Sequence, residues 1–169
     1  HRTVPENRLL RDLVARAVEG DDTALTEFVR LTQPAVWKLC HALGSIGEVE
    51  DLVQETYLQA IRSLPRFRGE SPVMAWLLRI GRNVCADHVR RRQRDRNLVE
   101  RIAPTVAEST MMEPSFAAVL LKGLPRPQVE AFVLTQLMDL SYEEAAEVLD
   151  CPVGTVRSRL FRARSELAK

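Results

Sequence analysis

Apolar residues in this chain recur at intervals of three and four, the spacing that places them along one face of an α-helix. Leu9, Leu10, Leu13, Val14, Ala17 and Val18 form one such stripe, and Gly20 with Asp21 and Asp22 stops that helix and caps the next. The second runs through Leu25, Phe28, Val29, Val36, Leu39 and Leu43, is expected to bend at Pro34, and ends at Gly44. A third covers about 48–64 through Leu52, Val53, Ala60, Ile61 and Leu64, and Pro65 prevents its continuation. Ser71-Pro72 predicts the start of a fourth, with serine as N-cap, proline at the first helical position, and Val73, Trp76, Leu77, Ile80 and Val84 inward.

After about Arg94 the period fails, and residues 95–112, with Pro104 and scattered polar positions, read as a flexible linker. Helical spacing resumes near Pro114 with Phe116, Val119, Leu120 and Leu121. Leu124-Pro125 then opens another helix through Val129, Phe132, Val133 and Leu137. No strand-type alternation or hairpin dipeptide occurs. The expected fold class is therefore all-α, with two small helical domains at 6–94 and 113–169 on either side of the linker.

The C-terminal block carries the most specific local pattern. Ser141 and Glu144 have the spacing of a capping box. Tyr142, Ala145, Ala146, Val148 and Leu149 make a short apolar helix, and Asp150-Cys151-Pro152 makes a turn in which Asp150 can take the left-handed conformation. A second helix follows, with Val153, Val156, Leu160 and Ala163 inward and Thr155, Arg157, Ser158, Arg159 and Arg162 outward. Guanidinium forks and short hydroxyls on the second helix of such a hairpin are what reading a DNA major groove requires. A hairpin whose arginines are merely solvated fits the spacing too.

Charge sharpens this picture. The net charge is only +1, yet residues 79–101 hold eight Arg against Asp87, Asp95 and Glu100, a local +5. Residues 153–169 carry a local +4, which leaves −8 for the remainder. Two basic segments on an otherwise acidic chain suggest a polyanion bound at two places and a different partner elsewhere. Cys40, Cys85 and Cys151 are odd in number, far apart and without a CxxC, which fits a reducing cytoplasm and argues against a disulfide framework or a zinc site. No apolar run approaches the ~20 residues of a membrane span and no signal-peptide pattern opens the chain, so no membrane insertion is expected. There is no HExxH, no nucleophile with a base, and no glycine-rich phosphate loop; with only 7 Gly, the chain reads as a binding protein without catalytic residues, metal or cofactor.

At these residues the sequence resembles a known family. SYEEAAEVLDCPVGTVRSRLFRAR is similar to region 4 of the extracytoplasmic-function (group IV) sigma factors of bacterial RNA polymerase, within the sigma-70 superfamily. DLVQETYLQA, at 51–60, resembles region 2.2, and PRFRGESPVMAWLLRIGRNVCADHVRRRQR, at 65–94, resembles regions 2.3 and 2.4. The likeness spans nearly the whole chain in the right order.

The resemblance implies a role for each block. The first domain would be σ2 and the second σ4, together binding core RNA polymerase, directing it to −35 and −10 promoter elements and aiding opening. In region 2.2, Asp51, Leu52, Gln54, Glu55 and Leu58 would dock on the β′ coiled coil, and the β flap would hold the other domain. Phe67, Arg68, Gly69, Glu70 and Ser71 would form a loop pocket for a flipped base of the −10 element, a site of the kind single-strand recognition needs. Arg79, Asn83, Asp87 and His88 would read or track the opened strand, with Arg90, Arg91, Arg92 and Arg94 on backbone phosphates. Asp87 would have to accept from a base amine, and His88 lacks companions for a metal. On the last helix Thr155, Arg157, Ser158, Arg159, Phe161 and Arg162 would meet the −35 duplex. A cognate anti-sigma factor is the further partner implied. A stand-alone helix-turn-helix regulator and a protein–protein adaptor are the rival readings; the DLVQET face and FRGES loop oppose the first, and the basic segments the second.

Overall fold

The computed structural model describes residues 5–102, 116–121 and 123–169 of the chain. In order they form α1 (Asn7–Val18), α2 (Asp22–Leu43), α3 (Val49–Ser63), α4 (Val73–Ile102), α5 (Phe116–Leu120), α6 (Arg126–Phe132), α7 (Tyr142–Leu149) and α8 (Val153–Leu167). Short 3-10 turns cover Ile46–Glu48 and Leu64–Arg66, and a π-helical turn, Val133–Leu137, continues α6. No strand occurs among the described residues, as the spacing predicts.

The first four helices share one core. Leu10, Phe28, Val36, Leu39, Leu43, Val73, Leu77 and Leu78 are all sealed from solvent, and a methylene removed from any of them costs transfer energy plus a cavity. Asp21 caps α2 by accepting from Ala24 N at 3.1 Å, and α2 runs unbroken through Pro34 to Gly44. Two of the apolar positions in the first stripe, Leu9 and Val18, lie outside the core and are exposed, because the buried face of α1 is only as wide as Leu10, Leu13 and Val14.

Two expectations about α4 are corrected. Ser71 does not cap it: α4 begins at Val73, and Val73 N donates instead to Asn7 Oδ1 of α1 at 2.8 Å. Nor does it stop at Arg94. It runs to Ile102 with Leu98 and Ile102 exposed, so local helix formers rather than a buried stripe sustain this stretch, with side-chain pairs Gln93–Asn97 and Arg96–Glu100 one turn apart. Of the expected 95–112 linker, residues 103–112 lie outside the described residues.

In the C-terminal block Ser141 and Glu144 form the capping box in full, and Asp150 closes α7 in the left-handed region at φ 51°. Val156, Leu160 and Ala163 of α8 are buried against α6 and α7. This block packs on the first. α7 lies against α4, and Glu130 of α6 is buried beneath Arg82 of α4 and Arg126. The two apolar cores are continuous across that contact.

Candidate nucleic-acid interface

Three surfaces collect the residues singled out by sequence. The first is the loop between α3 and α4. Phe67 packs its ring on Trp76, with centroids 5.0 Å apart and planes tilted by 45°, which fixes the loop's entrance on the α4 scaffold. Gly69 sits at φ +74°, a conformation that favours glycine, and a β-carbon there would displace the Arg11 guanidinium from its present position. Arg11 donates to the Gly69 carbonyl oxygen. A cleft of about 540 Å³ opens beside this loop, lined by Phe67, Arg68, Glu70, Ser71, Trp76 and Arg79. Its chemistry is an aromatic wall with cations, a carboxylate and a hydroxyl around it, suited to holding one planar base by face and edge.

The other block reaches the edge of this cleft. Glu147 of α7 lines it, and Arg79 donates Nε and Nη2 to the Glu147 carbonyl oxygen at 3.0 and 2.5 Å. Glu147 and Asp150 carboxylates lie 3.8 and 4.0 Å from Arg79 Nη2. The guanidinium thus serves the C-terminal end of α7, where the helix dipole favours a cation.

Along α4 the remaining residues divide. Asn83 is exposed and its Oδ1 accepts from Arg82 Nη1 at 3.0 Å, while Asp87 pairs with Arg90. Arg90, Arg91 and Arg94 line a groove of about 730 Å³ with Glu55 and Gln59 of α3. Arg92 is engaged by Glu48. His88 turns aside from Arg79 and Asn83: it is half-buried with Nε2 enclosed, and burial first, then the Arg91 charge, holds it below its ordinary pKa, with Asp51 opposing.

The second surface is on α3. Asp51, Gln54 and Leu58 are exposed, and Glu55 is half-buried with Oε1 accepting from Gln59 at 3.0 Å. Leu52 does not belong there. It is 4% exposed and lies against Gly44, because it falls on the inward stripe with Val53 and Thr56, so it supports the face from behind. Sequence reasoning missed two members. Trp37 of α2 is 46% exposed, stacks on His41 at 4.8 Å, and shares a shallow groove with Asp51, Gln54, Leu58 and Ile61. Ile61 was expected inside and is 39% exposed. The signal for Trp37 was available: it is an aromatic off the Val36–Leu39–Leu43 stripe.

The third surface is α8. Arg157, Ser158, Phe161 and Arg162 are exposed, Phe161 at 72%, and Thr155 and Arg159 are half-buried. Arg159 reaches back to the Cys151 sulfur at 3.9 Å. Among the described residues no cluster of three or more His, Cys, Asp or Glu could hold a metal, and no helix is long and apolar enough to cross a membrane.

Known proteins match this arrangement along its length. The family model for Sigma-70 region 2 matches residues 28–95, and that for Sigma-70, region 4 matches 118–167. The ECF RNA polymerase sigma factor SigC of Mycobacterium tuberculosis is 37% identical over 98% of this chain and 92% of its own length. The ECF RNA polymerase sigma-E factor of Escherichia coli K12 is 34% identical over 92% of this chain and 90% of its own. Among solved structures, CnrH in complex with the cytosolic domain of CnrY superposes with a TM-score of 0.72 at 32% identity, covering 95% of each chain. The sigma factor RpoE in complex with the anti-sigma factor NepR from Bartonella quintana gives 0.69 at 29% identity, over 85% of this chain and 93% of that one.

Proposed function

Because this chain belongs to the ECF sigma factors of the sigma-70 family, and so directs RNA polymerase to specific promoters, we propose a division of that task among its three surfaces. α1–α4 form the σ2 unit, which holds core polymerase through the α3 face and reads the opened −10 strand with the 67–71 loop and α4. α5–α8 form the σ4 unit, which reads the −35 duplex with α8. The observation that carries this reading is the conjunction on one chain of a groove lined by Trp37, Glu50, Asp51, Leu58 and Ile61, with no basic residue in its lining, and arginine-bearing surfaces on α4 and α8. A duplex-only regulator has no use for the first.

The α3 face offers Asp51, Gln54, Glu55, Leu58, Trp37 and Ile61 to the β′ coiled coil, a mixed surface in which apolar anchors supply affinity and carboxylates supply register. Phe67, Arg68, Gly69, Glu70 and Ser71 hold a flipped base in the cleft beside them. Arg79 and Asn83 continue the contact, and Arg90, Arg91 and Arg94 follow the phosphates. On α8 the exposed Arg157 and Arg162 lead, with Thr155, Ser158, Arg159 and Phe161 around them. Since Glu147 of α7 lines the cleft and occupies Arg79, α7 leaves α4 before Arg79 meets the −10 strand. The α8 face needs no such release.

The chemistry of RNA synthesis belongs to the polymerase, so this chain performs no covalent step. It acts in the cytoplasm, where the polymerase is, and an anti-sigma factor holds it inactive, as the neighbour bound to NepR suggests by analogy. Run-off transcription with core polymerase on genomic fragments tests the whole reading: discrete transcripts are expected only when this chain is added. Duplex binding without any polymerase-dependent transcript would overturn it.

A further inference from the structure

We propose that α1, which lies ahead of the stretch matched by the region 2 family model, sets the shape of the base-reading loop, with Arg11 and Asn7 as its positioning residues. The inference rests on the reading of the 67–71 loop as the −10 base site. α1 ties that loop at two points. Arg11 donates to the Gly69 carbonyl, and Asn7 Oδ1 accepts from Val73 N at 2.8 Å where α4 begins. Between these ties lie Glu70, Ser71 and Pro72, and before them Arg68. The third restraint, the Phe67 ring on Trp76, holds the other end.

Each tie engages a backbone polar group of the loop or of the helix start that follows it. The Val73 N–H is one of the orphan donors of a helix start, which Ser71 leaves unmet. Gly69, at φ +74°, a conformation that favours glycine, presents its carbonyl to Arg11 of α1. A six-residue connection with glycine at its centre has many conformations of similar energy. Fixing one of them in advance removes the ordering cost that base capture would otherwise carry. Arg11 is exposed, so its role is to select a loop shape, with little effect on global stability.

A phosphate contact by Arg11 is the competing role for an exposed cation at this rim, and it predicts a different signature. Losing a phosphate contact weakens binding evenly over all sequences and lowers the salt slope by about one, whereas losing loop shape narrows the gap between right and wrong bases.

The test uses the whole chain with core polymerase on a promoter recovered by run-off transcription, alongside versions with each −10 base changed. Discrimination is the ratio of open-complex formation on the parent and changed promoters, read by permanganate reactivity. Arg11→Ala is expected to lower that ratio roughly five-fold or more, the low end for loss of a base contact. Arg11→Lys, which can still donate to the carbonyl, should recover part of it. Asn7→Ala should lower the ratio, while Asn7→Asp, which keeps the acceptor, should not. Core affinity and helical circular dichroism should be unchanged in all four. An even loss on every promoter with a reduced salt slope, or no change at all, overturns the inference. Arg68→Ala and Glu70→Ala are the controls for the underlying reading. If they leave discrimination intact, the loop is not the base site and the inference falls with it. If they reduce it while Arg11→Ala does not, the loop reading stands and only the role of α1 is lost.

Discussion

Arg82 of α4 donates Nε and Nη2 to the two carboxylate oxygens of Glu130 on α6, at 2.8 and 3.0 Å, and Glu130 is 1% exposed. This forked pair joins the σ2 and σ4 units, with Arg126 a further 3.4 Å ion-pair neighbour. Hydrogen bonding to Glu130 holds the Arg82 guanidinium above its ordinary pKa. Glu130→Ala is expected to destabilise the joined units by about 1–3 kcal/mol. The effect stays below that of a fully buried pair because both arginine side chains are 32% exposed and can rehydrate. The free variant should show a larger radius of gyration in solution scattering while helicity is kept. An unchanged radius would remove this pair from the forces holding the units together.

Most of the helices were legible because their signals are local. The Ser141–Glu144 box and the Asp150 turn sit where three or four consecutive residues specify them. What sequence did not reveal depends on distant partners. The cap of α4 comes from Asn7, sixty-six residues upstream, so the nearer serine was the wrong choice. The end of α4 was misplaced because residues 95–102 have propensity without an apolar stripe, and periodicity registers only the latter. Leu52 illustrates the converse within the site: a motif residue can serve an interface while facing the core. The contact of Glu147 with Arg79 beside the 67–71 loop follows from how two units pack, which no short motif encodes.

On the −35 surface, exposure ranks the arginines. Arg157 and Arg162 are exposed, whereas Arg159 is half-buried and leans toward Cys151. Alanine at a base-contacting position should cost ~1–3 kcal/mol with relaxed specificity, and at a phosphate-contacting one should lower the salt slope by about one. Filter binding across a salt series with matched promoter variants distinguishes the two. Wild-type affinity in all three single variants would mean that α8 is not the reader.

On the α3 face, Asp51→Lys and Glu55→Lys should weaken core polymerase by roughly ten-fold or more, at 1.4 kcal/mol per decade. Trp37→Ala should cost ~2 kcal/mol or more if it is an anchor of this interface, since large exposed aromatics beside apolar neighbours carry such energies. Fluorescence titration against core polymerase reads both, and circular dichroism checks the fold. Loss from the carboxylates alone would confine the contact to α3.

The σ2 core carries its own pH signature. Tyr57 is buried, its hydroxyl 2.6 Å from Thr32 Oγ1, and burial pushes its pKa up from 10.0 to about 12 against the opposing Thr32 hydrogen bond. The raised value means the folded state prefers the protonated phenol. Its stabilising contribution is therefore whole below pH 10 and is lost as pH rises toward about 12, a loss of roughly 2–3 kcal/mol. Tyr57→Phe should flatten the fall in stability over that window. Urea unfolding of both proteins at several pH values above 9 makes the comparison, and parallel curves would place the alkaline loss elsewhere.

The last expectation concerns the covalent join between the units. Bound separately, each unit offers DNA a small basic face, and linkage makes the second contact intramolecular, with avidity gains of ~10²–10⁴ typical of such tethers. The structure adds a complication that composition alone did not suggest. With Arg82–Glu130, Arg79–Glu147 and a continuous apolar core between them, two halves cut between Ile102 and Phe116 should re-associate in solution. On the proposed reading that association is the wrong one for promoter opening, because it keeps Arg79 engaged by Glu147. Once polymerase and the −10 strand separate the units, nothing in the split pair holds σ4 near its −35 site. The split protein should therefore bind core polymerase through σ2 with near-normal affinity and yet open promoters poorly. Permanganate footprints of the −10 region, intact chain against split pair at matched saturation of core, read this difference. Equal reactivity would show that contacts to polymerase alone position σ4, and that tethering contributes nothing to recognition at two points.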